Sequence, residues 1–211
     1  MDLFVPGPCG PLEAKLWEPP KGATSKVVAV FCHPHPLYGG TMDNKVVFRA
    51  AKGLAEAGIP TLRFNFRGVR RSAGEHHGQG GEADDLGACL DWMQARHPQA
   101  QLWAGGFSFG SRTAVQRALV DDRIRRLVLV ALPVKAFQVG YFAEVRQPGI
   151  VVMADRDEFG TLSDLRRQFP TLPPGFEAVE IANSGHFFDE TGLELQACVR
   201  EYAQSHVQEL P

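Results

Sequence analysis

Apolar residues along this chain come either in short unbroken runs or at every third or fourth position. KVVAVFC, from Lys26 to Cys32, is an unbroken run, as a strand buried on both faces requires. RLVLVA (Arg126 to Ala131) and GIVVMA (Gly149 to Ala154) read the same way. Thr61 to Phe66, Gln101 to Ala104 and Phe176 to Ile181 supply further short strands. Leu3 to Val5 and Leu12 to Trp17 pair as a hairpin around Gly7 to Gly10.

Helical spacing fills the intervals. Val47, Ala50, Ala51 and Leu54 share one face of a helix running to about Ala57. Asp43 or Thr41 is its expected cap and Gly58 its stop. Leu86, Leu90 and Met93 define a helix over Glu82 to Ala95, with Pro98 closing the region. Ser111 to Leu119 is helical, and Leu162, Leu165 and Phe169 mark a helix over Thr161 to Phe169. The closing helix carries Leu195, Cys198, Val199 and Tyr202 on one face. Repeated strand–helix units imply an α/β fold: a mostly parallel sheet with helices on both faces. At 211 residues, one domain over 1–211 is the expectation.

Composition narrows the function classes. Hydrophobic residues are 44%, charged residues 22%, and the formal net charge is -2. That lacks the basic footprint of a nucleic-acid binder. Arg67, Arg70 and Arg71, and again Arg123, Arg125 and Arg126, read as solvated surface clusters. No apolar run approaches a membrane span. The start of the chain has neither a positive n-region nor an apolar h-region, so the expectation is a cytoplasmic protein. Cys9, Cys32, Cys89 and Cys198 form no C-x-x-C and read as reduced, mostly buried thiols.

In open α/β sheets chemistry gathers at the carboxyl ends of the strands. After the strand at Gln101 comes Gly106-Phe107-Ser108-Phe109-Gly110, a G-x-S-x-G between strand and helix. That context makes Ser108 a nucleophile on a tight turn. A dinucleotide-binding turn needs G-x-G-x-x-G, and the adjacent Gly105 and Gly106 break that spacing. A serine hydroxyl needs a base. His186 follows the last strand, and an acidic turn, Asp155-Arg156-Asp157-Glu158, follows the strand before it. The order serine, acid, histidine is therefore kept. Asp157 is the first choice for the acid and Asp155 the alternative.

An oxyanion hole draws one donor from the N–H of Phe109 and a second from the loop after Cys32. There Pro34 and Pro36 have no N–H, which leaves His35, with Leu37 behind it. His33 and His35 lack a nearby carboxylate or cysteine to complete a metal set, so neither a metal nor a cofactor is expected.

HPHPLYGGTMDNKVV, RFNFRGV, GFSFG, ADRDEFG and SGHFF together resemble the small, lidless serine α/β-hydrolases related to dienelactone hydrolase. The resemblance spans His33 to His186. It implies the α/β-hydrolase fold, a carboxylesterase-like activity, and Ser108, Asp157 and His186 as the triad. Dienelactone hydrolases use a cysteine nucleophile where this chain has Ser108, which argues against that specific activity. The similar sequences tend to have glycine where Arg70 stands.

The expected function is hydrolysis of carboxylic esters or thioesters of small acyl groups, the partner being a small-molecule ester. A serine peptidase or amidase on the same residues and a non-catalytic binding protein are the alternatives. Only Leu132 to Gln147 separates two core strands, too little for a cap domain. Tyr38, Phe107, Phe137 and Phe187 are the expected substrate-binding residues, with Phe109, Val134, Tyr141 and Phe142 as further candidates for the pocket wall.

Overall fold

The computed structural model describes residues 2–18, 25–78 and 80–208. Eight strands form one sheet: β1 (Asp2–Gly7), β2 (Gly10–Trp17), β3 (Val27–Cys32), β4 (Thr61–Phe64), β5 (Gln101–Phe107), β6 (Ile124–Val130), β7 (Gly149–Ala154) and β8 (Phe176–Ile181). Their spatial order is β1-β2-β4-β3-β5-β6-β7-β8. The β1–β2 hairpin joins β4 antiparallel, and every pair beyond is parallel.

Helices α1 (Lys45–Glu56) and α5 (Gly192–Gln208) cover one face. α2 (Glu82–Arg96), α3 (Phe109–Ala118) and α4 (Leu162–Gln168) cover the other. Strand residues alternate between the two cores. Leu127 and Leu129 of β6 join α2 and α3, while Val128 and Val130 join α1 and α5. That alternation is why β3 and β7 are apolar at every position. Among the described residues no helix is long and apolar enough to cross a membrane.

Several boundaries differ from the sequence expectation. β5 runs on from Ala104 to Phe107, because Gly105 and Gly106 are paired on both sides, by β3 and β6. Double pairing outweighs the poor strand preference of glycine. α3 then starts at Phe109, two residues earlier than expected. β4 stops at Phe64, and the N–H of Phe66 is taken by the imidazole of His33. The α1 cap is Asn44, whose Oδ1 accepts from Val46 N–H at 2.9 Å, rather than Asp43 or Thr41. Asp43 instead pairs with Lys15.

The arginine clusters are not wholly solvated. Arg67 forms a bidentate pair with Asp85, whose side chain is fully buried. Removing Arg67 would strand that carboxylate, a loss of about 3–5 kcal/mol. Arg123 is held by Asp121, whose carboxyl the two guanidiniums of Arg123 and Arg117 pull down to about 2. Arg70 does occupy a left-handed conformation, φ 54°, which accounts for the glycine of similar sequences. All four cysteines are free; Cys9 is exposed, unlike the buried Cys32 and Cys89.

Candidate active site

Ser108 sits between the last residue of β5 and the first of α3, with φ 53° and ψ -117°. Such a conformation is strained for a residue with a Cβ. Two close approaches surround it. A Cβ on Gly106 would lie 2.3 Å from the Gly110 carbonyl carbon, and one on Gly110 would lie 2.6 Å from the Cys32 oxygen. Strand, turn and helix therefore fit together only with glycine at both positions.

Of the two other predicted residues, His186 reaches this hydroxyl and Asp157 reaches the far side of the His186 ring. His186 Nε2 is 3.0 Å from Ser108 Oγ, and His186 Nδ1 is 2.7 Å from Asp157 Oδ2. With a carboxylate on Nδ1, the ring carries its proton there, and Nε2 is left to accept from the serine. All three residues are nearly buried. The imidazole is held by Phe107, Phe159 and Phe187, at ring distances of 4.8, 4.6 and 5.2 Å. Asp157 is fixed in turn by the N–H of Phe159, 2.8 Å from Oδ1.

Asp155 is not in this chain of bonds. Its two oxygens accept from the N–H groups of Ser184 and Asn183, which lowers its pKa. It clamps the β7 turn to the loop that carries His186. Two acidic side chains two positions apart thus do different things, one holding the loop and one holding the ring.

The loop after β3 folds back in a single 3-10 turn, Pro36–Tyr38. Gly40 packs so closely that a Cβ would lie 2.1 Å from the Pro34 oxygen. Leu37 N–H is committed to the His35 ring, Nδ1, at 3.2 Å, so Leu37 is not a free donor. The backbone N–H groups of His35 and Phe109 meet no protein acceptor among the described residues. The two donors named from the sequence therefore remain available, while their nearest rival does not.

The two histidines of HPHP do different things. His35 borders the cleft. Its ring packs on Phe109 and on His76, and His76 is hydrogen-bonded to the buried Glu82. Burial, with His76 beside it, holds the His35 imidazole below its ordinary pKa. His33 is fully buried, its Nδ1 on the Pro34 oxygen and its Nε2 accepting from Phe66 N–H. Both nitrogens are occupied, so His33 fastens the loop to the end of β4 and has no free nitrogen for a metal. Among the described residues no three His, Cys, Asp or Glu side chains group as a metal set.

Burial lowers the His33 pKa to about 3. The unfolded chain, with a His pKa near 6.5, binds this proton first as pH falls. Stability is therefore lost on acidification between about pH 6.5 and 3, by about 1.4 kcal/mol per unit from this group. Urea unfolding of the wild type and His33→Gln checks this. The stability gap between them is expected to shrink by roughly that slope between about pH 6 and 4; a pH-independent gap would contradict it.

A cleft of about 530 Å³ opens over Ser108 and His186. Tyr38, Phe137 and Phe187 line it, as expected from the sequence. Phe107 does not. It is fully buried and faces the α1–α5 side, where it backs the His186 ring. Val134, Tyr141 and Phe142 are also absent from the wall, and Phe142 packs between Phe169 and Phe176 in the core. Phe109 lies behind His35. Phe159, Pro133, Ala136 and Asn44 also line the cleft and were missed. For Phe159 a signal existed: it sits two residues past Asp157 in the same turn.

This geometry has relatives. A family model described as the alpha/beta hydrolase fold matches residues 31–176. The chain belongs to the α/β-hydrolase family. An uncharacterized protein of Rickettsia prowazekii is 32% identical, over 95% of this chain and 87% of that one. Among solved structures, an alpha-beta serine hydrolase homologue from Coxiella burnetii shares 36% identity over 96% of each chain, with TM-score 0.88. A serine hydrolase without lid from Xanthomonas campestris shares 33% over 100% of this chain and 96% of that one, with TM-score 0.89. Like that hydrolase, this α/β-hydrolase shows no cap domain among its described residues: the segment between β6 and β7 holds only a 3-10 turn, Gly140–Glu144.

Proposed function

We propose that this α/β-hydrolase is a serine hydrolase that cleaves carboxylic esters or thioesters of small acyl groups. The reading rests on one observation, the bonded chain from Asp157 through His186 to Ser108 at the floor of an open apolar cleft. Ser108 Oγ attacks the carbonyl carbon as His186 Nε2 takes its proton. Asp157 stabilises the imidazolium that forms. The N–H groups of Phe109 and His35 receive the developing oxyanion, and the N-terminus of α3 adds its dipole. The tetrahedral intermediate collapses, His186 protonates the leaving alcohol or thiol, and water repeats the sequence on the acyl-enzyme.

Substrate size follows from the cleft. Tyr38, Phe137, Phe159 and Phe187 form an aromatic wall around a space suited to short acyl groups. In a series of p-nitrophenyl esters, kcat/KM is expected to peak at acetate to hexanoate and fall by about tenfold or more at palmitate. Rates rising steadily to palmitate would contradict the small pocket. Matched esters are expected to react faster than amides, and the reverse order would favour an amidase.

A further inference from the structure

A second cleft, of about 560 Å³, lies at the opposite end of the sheet. It is built at the amino ends of β5, β6 and β7, with Trp103, Arg125, Arg126 and Arg146 in its wall. Ser108 stands at the carboxyl end of β5, about 20 Å away along the strand. The active-site cleft shares no residue with it.

Three features of this cleft go together. First, β6 carries an extra residue there. Ile124 pairs with Leu102 and Arg126 with Trp103, so Arg125 bulges out of register. Bulges re-aim side chains, and here both consecutive arginines border one cleft. Second, their charge is not neutralised internally. The neighbouring Arg123 is paired with Asp121 and Asp91, yet Arg125, Arg126 and Arg146 meet no carboxylate within 4.0 Å among the described residues. Arg126 is nonetheless held in place, donating to Tyr202 Oη at 2.8 Å and lying over the Trp103 ring at 5.5 Å. Asp122 is the one acidic residue of the wall, and His206 adds an imidazole that lies 3.6 Å from Glu177. Third, Trp103 is 1% exposed, and among the described residues its indole N–H has no acceptor. A buried donor without a partner calls for an explanation.

We infer that this cleft binds a small phosphorylated molecule, through Arg125, Arg126 and Arg146, at a site separate from the catalytic one. Guanidinium forks match the oxygens of a phosphate group, and a preorganised Arg126 loses little freedom on binding. The volume suits a small molecule. The ligand is not the ester being hydrolysed, because the site faces away from Ser108.

Calorimetric titration of the full chain with inorganic pyrophosphate, and separately with glycerol phosphate, at constant ionic strength tests this. Saturable binding is expected, and it should weaken by about tenfold or more in the Arg125→Gln/Arg146→Gln double variant. Both side chains are exposed, so the fold should tolerate the change. Ser108→Ala and Arg167→Gln should bind as the wild type does. Response to glycerol phosphate would point to an organic phosphate, and response to pyrophosphate alone to a free polyphosphate; either supports the site. No saturable heat with either probe, equal binding by the double variant, or binding of an Asp/Glu peptide but neither phosphate would overturn it.

Discussion

Asp157→Asn is expected to lower kcat by about a thousand- to ten-thousand-fold, with KM little changed. Asp155→Asn should lower it by less than about tenfold. The difference follows from what each carboxylate holds. Asp157 Oδ2 accepts from His186 Nδ1 at 2.7 Å, and its other oxygen is already fixed by Phe159 N–H. An amide there presents NH2 or a neutral oxygen to the ring. The first turns the imidazole to the wrong tautomer, with Nε2 protonated and unable to act as base. The second leaves the imidazolium without a counter-charge in a buried site. Asp155 touches no ring atom; it accepts from two backbone N–H groups on the His186 loop. Losing one of these bonds loosens a turn on the surface without touching the ring. Steady-state kinetics of both variants on p-nitrophenyl acetate separates the two roles. Equal losses would mean that the ring is positioned by the loop rather than by its hydrogen bond.

The sequence alone could order these elements because their signals were physical and local. Unbroken apolar runs marked strands covered on both faces, and helical spacing marked the layers that cover them. Ser108, Asp157 and His186 could be brought together from sequence because each follows a strand in a parallel sheet, where carboxyl ends converge on one edge. Choosing between Asp155 and Asp157 rested on reach, two residues against none; the structure puts Asp157 Oδ2 on the His186 ring and Asp155 on the backbone of its loop, and the two Asn variants test which of them the chemistry needs.

Other features were not readable, for reasons equally physical. His33 and His35 are two residues apart in one short motif, yet one is a buried anchor and the other borders the cleft. Nothing in HPHP says which ring turns inward; the N–H of Phe66, 33 positions away, decides it. Phe107 and Phe187 looked alike as pocket residues. Phe107 is the last residue of a strand, and the pleat sends its side chain into the core behind His186. Phe187 sits on a loop and faces the opening. Arg67 looked solvated because its partner Asp85 lies 18 positions on, inside a helix. For His33 and Arg67 a long-range contact, absent from any local window, set the outcome.

Ser108 is where the account is most exposed. Its hydroxyl is hydrogen-bonded to His186 Nε2, the group proposed to take its proton, so Ser108→Ala is expected to cost at least about ten-thousand-fold in kcat. What survives would come from binding and the backbone donors alone. The same geometry makes a sharper demand, because an activated serine reacts covalently with an electrophile that mimics the oxyanion. Incubation with a fluorophosphonate probe, followed by mass spectrometry of the digested protein, reads this directly. One adduct per chain is expected, located on the peptide that contains Ser108 and missing from Ser108→Ala. Labelling that persists in Ser108→Ala, or no labelling of the folded wild type, would contradict the proposed chemistry.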